Sequence, residues 1–305
     1  MKIYGNMTHI PVLTKEVLEY LDPKPNENMI DATIGEAGHA LLLLEKTKPD
    51  GRVLGIDLDA KQIEHAKIQT GNFSKRVVLV NDSYANIKEI VQKNNVKPIF
   101  GILLDLGYSS WQIEQSTKGF SFKKDEILDM RYDLQDSLTA QKIVNEYPER
   151  EIIKILQEYG QERFAKQIAG KITEQRNIKR IQTTFQLKEI IEHAVPKKFQ
   201  YGRIHCVTKS FQALRIAVNR ELDNLASALP SVISVLSPGG RLVVISFHSL
   251  EDRMVKHFFK NKEKEGVIKI LTPKPISAGQ QEILENPRSR SAKLRAIIKN
   301  EKIEV

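Results

Sequence analysis

Residues 29–46 read MIDATIGEAGHALLLLEK, and this stretch decides the fold class. Asn28 to Ala32 suit a buried strand ending in Asp31, and the apolar run from His39 onward suits a packed helix. Between them stand Gly35 and Gly38, three apart. A strand, a Gly loop and a helix in that order turn backbone N–H groups and the positive helix end toward a ligand. Such units sit at the carboxyl edge of a parallel sheet.

Further strand-like runs follow downstream. RVLGIDLD, RVVLVND and PIFGILLDLG are β-rich and separated by helical patterns up to about residue 106. Residues 136–195 change character, with helical periodicity and no convincing strand. There, Pro148 with Glu149 and Glu151 suits a helix start, Gly160 a helix end, and Thr183 with Gln186 a capping box. The α/β pattern returns after about residue 212, with a helix through NLASALPSVISVL, the turn SPGG and the strand RLVVISF. Residues 268–272 and 292–299 are candidate last strands. The expected architecture is an α/β Rossmann-like sheet domain over residues 1–112 and 207–305, interrupted by an all-helical insertion at 113–206.

Composition sets the outer bounds. The 305 residues are 41% hydrophobic and 28% charged, which fits a globular chain. No apolar run approaches the roughly 18–20 residues of a membrane span, and MKIYGNMTHIPVL lacks the pattern of a signal peptide. One cysteine, Cys206, excludes an internal disulfide, and the histidines show no metal-ligand spacing. A cytoplasmic protein without a metal is expected. The net charge of +9 favours a polyanionic partner. Oligomeric state is not written in the sequence, and a homodimer stays open.

A dinucleotide fingerprint wants three glycines, so that a pyrophosphate can lie on the backbone. Two glycines in a looser loop suit S-adenosylmethionine, which offers a carboxylate, an amine, a sulfonium and an adenosine instead of phosphates. Asp57, at the end of the second strand, is placed to accept both ribose hydroxyls. VVLVNDSY brings Asp82 and Tyr84 toward an adenine position, and GILLDLGYSSWQ delivers Asp105 at the end of the fourth strand.

At this point a family resemblance becomes specific. HIPVLTKEVL, DATIGEAGH, GIDLD, GILLDLGYSS, GFSF, LDMR, YGQERFAKQIA, FQALRIAVNREL, SPGGRLVVISFHSLEDRMVK and NPRSRSAKLRA occur in order along nearly the whole chain. The chain thereby resembles the bacterial 16S ribosomal RNA cytosine-N4 methyltransferase family. The resemblance implies a class I methyltransferase sheet, S-adenosylmethionine as cofactor, and a small-subunit cytosine near the ribosomal P site as target. It implies cofactor contacts at Ala37, Gly38, His39, Asp57, Tyr84, Asp105 and Gln112, and a substrate-recognition role for the helical insertion. Two departures stand out. Ala37 occupies a position where the family usually has glycine, and it can offer its N–H only if the loop does not require a positive φ there. Tyr108 and Trp111 replace a smaller aliphatic and a proline.

The residues also bear on the chemistry. Methylation at cytosine C5 requires a nucleophile, nearly always a cysteine, and Cys206 sits in RIHCVTK without the expected proline neighbour. An exocyclic amine needs no covalent intermediate, only a polar group that draws its lone pair out of the ring plane and an aligned methyl donor. Asp105 is the candidate orienter and Tyr108 a candidate stacking face. His248, in SFHSLEDR, is a candidate for positioning the base or moving a proton. His39 reads equally as a helix cap. On the substrate side, Lys197, Lys198, Arg203, Lys209, Arg215 and Arg220 interleave with Phe199, Tyr201 and Phe211, and NPRSRSAKLR adds Arg288, Arg290 and Lys293. Cations meet phosphates and aromatics stack on unpaired bases. Two other classes stay open: a DNA amino-methyltransferase, against which the missing proline pair in DLGY counts, and a non-catalytic ribosome-assembly factor on the same scaffold.

Overall fold

The computed structural model describes residues 11–107, 116–200, 202 and 205–301. Two compact units emerge, one from residues 1–109 with 222–305 and one from residues 110–221.

The first unit is built on a seven-stranded sheet in the order β3-β2-β1-β4-β5-β7-β6. Its strands are β1 (Asn28–Asp31), β2 (Val53–Asp57), β3 (Val77–Asn81), β4 (Ile99–Asp105), β5 (Arg241–Ser246), β6 (Ile268–Ile270) and β7 (Lys293–Lys299). The first five pair in parallel, and β7 runs antiparallel to both β5 and β6. Parallel strands covered on both faces read as unbroken apolar runs, which is why GILLD and LVVIS are so hydrophobic.

The period-two alternation divides those runs between two cores. Ile30, Ile102, Leu104, Leu242 and Val244 face one layer, with Ile87, Ile90 and Val91 of α4 (Ile87–Asn94). Leu225, Leu229 and Val232 of α10 (Glu221–Val235) and Phe259 of α11 (Ser249–Lys264) complete it. Met29, Leu103, Val243 and Ile245 face the other layer. There they meet Val17 and Leu21 of α1 (Thr14–Leu21), Leu43 and Leu44 of α2 (Gly38–Lys46), and Ala66 of α3 (Ala60–Gln69). No described helix is long and apolar enough to cross a membrane.

The second unit is helical and has a core of its own. It contains α5 (Ala140–Glu146), α6 (Glu149–Glu158), α7 (Ala165–Ile178), α8 (Thr184–Ala194) and α9 (Val207–Asn219). Pro148 caps α6, and Glu149 and Glu151 lie in its first turn. Thr183 and Gln186 form the reciprocal capping box at the start of α8. The helical unit runs further than the 113–206 span expected from sequence. Val207, Phe211, Leu214 and Val218 of α9 bury their side chains in the helical core with Ile152, Leu156 and Leu187. The amphipathic face of α9 thus belongs with the insertion, and the chain returns to the sheet unit only after Glu221.

Candidate active site

Five parallel strands present their carboxyl ends along one edge, and each of those ends carries a polar residue: Asp31, Asp57, Asn81, Asp105 and Ser246. The loop after β1 is tightly woven. Ile34 N–H donates to Ile56 O and Ala37 N–H to Ile34 O, at 2.9 and 2.8 Å. Gly35 has φ +49°, and its N–H donates to Asp57 Oδ2 at 3.0 Å. A Cβ on Gly38, the first residue of α2, would fall 2.9 Å from Pro11 Cγ.

Ala37 corrects an expectation. Its φ is 65°, so the loop does require the left-handed conformation there, and an alanine carries it. Its N–H is spent on Ile34 O, and the side chain is fully buried. Ala37 therefore shapes the loop, and its N–H already donates within it.

Asp57 is held from both sides, Oδ1 accepting from Asp59 N–H at 2.9 Å and Oδ2 from Gly35 N–H. Burial pushes its carboxyl up to about 7, against the lowering effect of those two N–H groups. Each oxygen keeps a further lone pair, which suits a vicinal diol. Next along the edge, Tyr84 begins a short 3₁₀ turn and packs against the apolar core. Asp82 Oδ1 accepts from Ser83 N–H and Asn86 Nδ2, at 2.7 and 2.8 Å, and so braces that turn.

A second cluster lies at the ends of β1 and β4. His39 Nε2 is 3.6 Å from Asp105 Oδ2, an ion-pair distance and longer than a hydrogen bond. Asp31 is buried beneath them and accepts N–H bonds from Thr33 and Ala40. Burial pushes its carboxyl up to about 6, the neighbouring Asp105 raising it further and His39 lowering it. Thr33 Oγ1 accepts from Asp105 N–H at 2.7 Å, fixing the strand end. Sequence reading placed Asp31 at the strand end but gave it no role. The signal available was an acid closing an apolar strand directly before the Gly loop.

Among the described residues, several buried polar atoms here have no partner: His39 Nδ1, Asp105 Oδ1 and Ser246 Oγ. Such atoms are costly unless a ligand or solvent satisfies them. Three carboxylates beside them suit a cationic, hydroxyl-bearing ligand, and the set fits S-adenosylmethionine.

Other candidates fall differently. His248 caps α11: its Nδ1 accepts from Glu251 N–H at 3.4 Å, and its Nε2 lies 3.2 Å from Glu251 Oε1. Glu251 reciprocates by accepting from His248 N–H at 3.3 Å. Arg215 is buried, its guanidinium bidentate on Glu221 at 2.9 and 3.0 Å, which corrects its expected place on an RNA surface. Phe211 likewise belongs to the helical core. Lys209 is exposed and donates to Gln161 O at 3.2 Å. Arg288 is half-buried and Arg290 exposed on a 3₁₀ turn. Tyr108, Gln112 and Arg203 lie outside the described residues.

A mixed sheet in this strand order, with acid-tipped strands around a Gly loop, defines a Rossmann-like S-adenosylmethionine-dependent methyltransferase. Residues 6–300 match the MraW methylase family, and the chain belongs to it. Among its relatives is the ribosomal RNA small subunit methyltransferase H of Syntrophotalea carbinolica, 44% identical over 305 residues, covering 95% of this chain and 97% of that protein. The protein of the same name from Kosmotoga olearia is 46% identical over 294 residues, again covering 95% and 97%. That from Thermotoga neapolitana is 44% identical, covering 94% and 95%.

Proposed function

We propose that this protein methylates the exocyclic N4 amine of a cytosine in 16S ribosomal RNA, in the small subunit near the P site. Its relatives carry names that specify small-subunit ribosomal RNA. The observation that carries the chemistry is Asp105 Oδ1 at the sheet edge, without a partner among the described residues, with His39 3.6 Å from the other oxygen. When bound, S-adenosylmethionine supplies an electrophilic methyl group on a sulfonium. Asp57 holds the ribose hydroxyls, and Tyr84 flanks the adenine. Asp105 accepts an N–H of the target amine, which turns the nitrogen lone pair out of conjugation and toward the methyl group. With the cofactor bound, its negative charge would offset the positive charge that passes from sulfur to nitrogen as the N–CH3 bond forms and the S–CH3 bond breaks. His39 lies beside that carboxylate, and the Thr33 hydroxyl fixes the Asp105 backbone by accepting its N–H.

The only thiol argues against attack at a ring carbon. Cys206 lies in the helical unit at the start of α9, and burial, with the Glu192 and Glu162 carboxylates, pushes the thiol up. The proposed transfer uses no metal ion. It takes place in the cytoplasm, away from any membrane.

Methyl-labelled cofactor, offered with small subunits, bare ribosomal RNA or DNA and followed by nucleoside analysis, tests the reading. N4-methylcytidine from small-subunit RNA is the expected product. Label in DNA, at C5, or nowhere would overturn it.

A further inference from the structure

On the helical unit, Phe199 is a large apolar side chain left 39% exposed, at the end of the 3₁₀ turn Lys197–Phe199. A single exposed phenylalanine is ordinary, but this one is mounted. Its ring packs on Phe164 with centroids 5.2 Å apart and planes at 46°, and Phe164 packs on the helical core. The turn is tied down behind it. Phe199 N–H donates to Pro196 O at 2.8 Å, and Gln200 Nε2 donates to Glu192 O and Val195 O at 2.6 and 2.9 Å.

Cations surround the ring pair. The Arg163 guanidinium lies 5.2 Å from the Phe199 centroid and 5.7 Å from that of Phe164, and Lys198 Nζ lies 5.1 Å from Phe199. Lys197 is exposed on the same turn. Elsewhere on this unit Lys171 pairs with Glu174, Arg180 with Glu146 and Arg131 with Asp129. Among the described residues, Arg163, Lys197 and Lys198 pair with no carboxylate. A rigid aromatic face ringed by uncompensated cations is the arrangement that takes an unpaired base and its flanking phosphates. Cations held only by an exposed ring are weakly held, so they can move onto phosphates when a base takes the face.

We infer that Phe199, backed by Phe164, is a stacking platform for an unpaired base of the RNA substrate, with Arg163, Lys197 and Lys198 on the adjoining phosphates. The inference rests on the ribosomal RNA reading above and assigns part of that substrate's recognition to a defined patch.

The test uses the full-length chain, small subunits and a single-stranded RNA oligonucleotide, with Phe199→Ala, Phe199→Trp and Lys198→Ala. Phe199→Ala should weaken RNA binding and raise KM roughly ten- to a hundredfold. Its kcat at saturating subunits, its melting temperature and its S-adenosylmethionine affinity by calorimetry should stay at wild-type values. Phe199→Trp should restore binding, because stacking survives. Lys198→Ala should lower the slope of log affinity against log salt by roughly 0.7, one phosphate contact on a single strand. Wild-type RNA affinity and KM in Phe199→Ala would overturn the platform while leaving the methyltransferase reading intact. So would a Phe199→Trp no better than alanine, or an effect of Phe199→Ala on self-association alone. A wild-type protein that methylates no ribosomal RNA would overturn the underlying reading and the platform with it.

Discussion

Ala37 shows at the scale of one residue how the cofactor loop is built. A non-glycine residue in the left-handed region costs about 1–2 kcal/mol, and glycine returns part of that gain through its freer unfolded chain. With φ at 65°, Ala37→Gly should stabilise the protein by roughly 0.5–1 kcal/mol. Thermal melts should show a rise of about 1–3 °C, and Ala37→Val a fall. A lower melting temperature for the glycine variant would show that the loop tolerates alanine without strain. Asp57 makes a prediction in pH. Its carboxyl ionises at about 7 in the folded protein against 3.8 for the free side chain. Over that window the folded state binds the extra proton, so the stability of the cofactor-free protein falls as pH rises from about 4 through about 7. Cofactor affinity runs the other way, because the ionised carboxylate is the better acceptor for two hydroxyls. Asp57→Asn should flatten both trends, with affinity followed by calorimetry and stability by denaturant titration. An unchanged pH profile of affinity would remove Asp57 from the ribose.

At the scale of elements, the strands and their ends were legible because buried parallel strands leave unbroken apolar runs with an acid where the run stops. GIDLD and GILLDLG carry that signature, and Asp57 and Asp105 close β2 and β4 accordingly. The capping box at Thr183 was legible because both partners are local in sequence. What escaped depended on tertiary partners. Helix α9 has a basic, aromatic-dotted sequence that reads as a nucleic-acid surface, yet Phe211 fills the helical core and Arg215 turns onto Glu221. His248 reads as a possible proton carrier, but three residues later Glu251 makes it half of a capping box, a role the usual Ser/Thr rule does not cover. The left-handed turn at Ala37 was marked only by the glycine usual in the resembling family, since alanine itself gives no sign of it. Arg215→Ala separates a structural arginine from an RNA contact. Removing it takes the charge partner from the largely shielded Glu221 carboxylate, which is 11% exposed, and should cost about 2–3 kcal/mol, visible as early unfolding in denaturant. Unchanged stability with weaker, less salt-sensitive RNA binding would return Arg215 to the surface role.

For the molecule as a whole, the sheet unit has a core on each face and the helical unit has one of its own, and the chain's net charge of +9 suits an RNA partner. The sheet edge gathers Asp31, Asp57 and Asp105 around the loop that starts α2, an acid-rich patch in a basic protein that suits a cationic methyl donor. The central claim is that the Asp105 carboxylate orders the target amine and the developing charge. Single-turnover methylation of small subunits at saturating S-adenosylmethionine tests it most directly, comparing wild type with Asp105→Asn. The substitution keeps size and one acceptor oxygen but removes the charge and the second acceptor. The rate should fall by roughly 10²–10³, as for the loss of one preorganised electrostatic group, with a smaller loss of cofactor affinity. A rate near wild type would contradict the account and place the polarising group elsewhere.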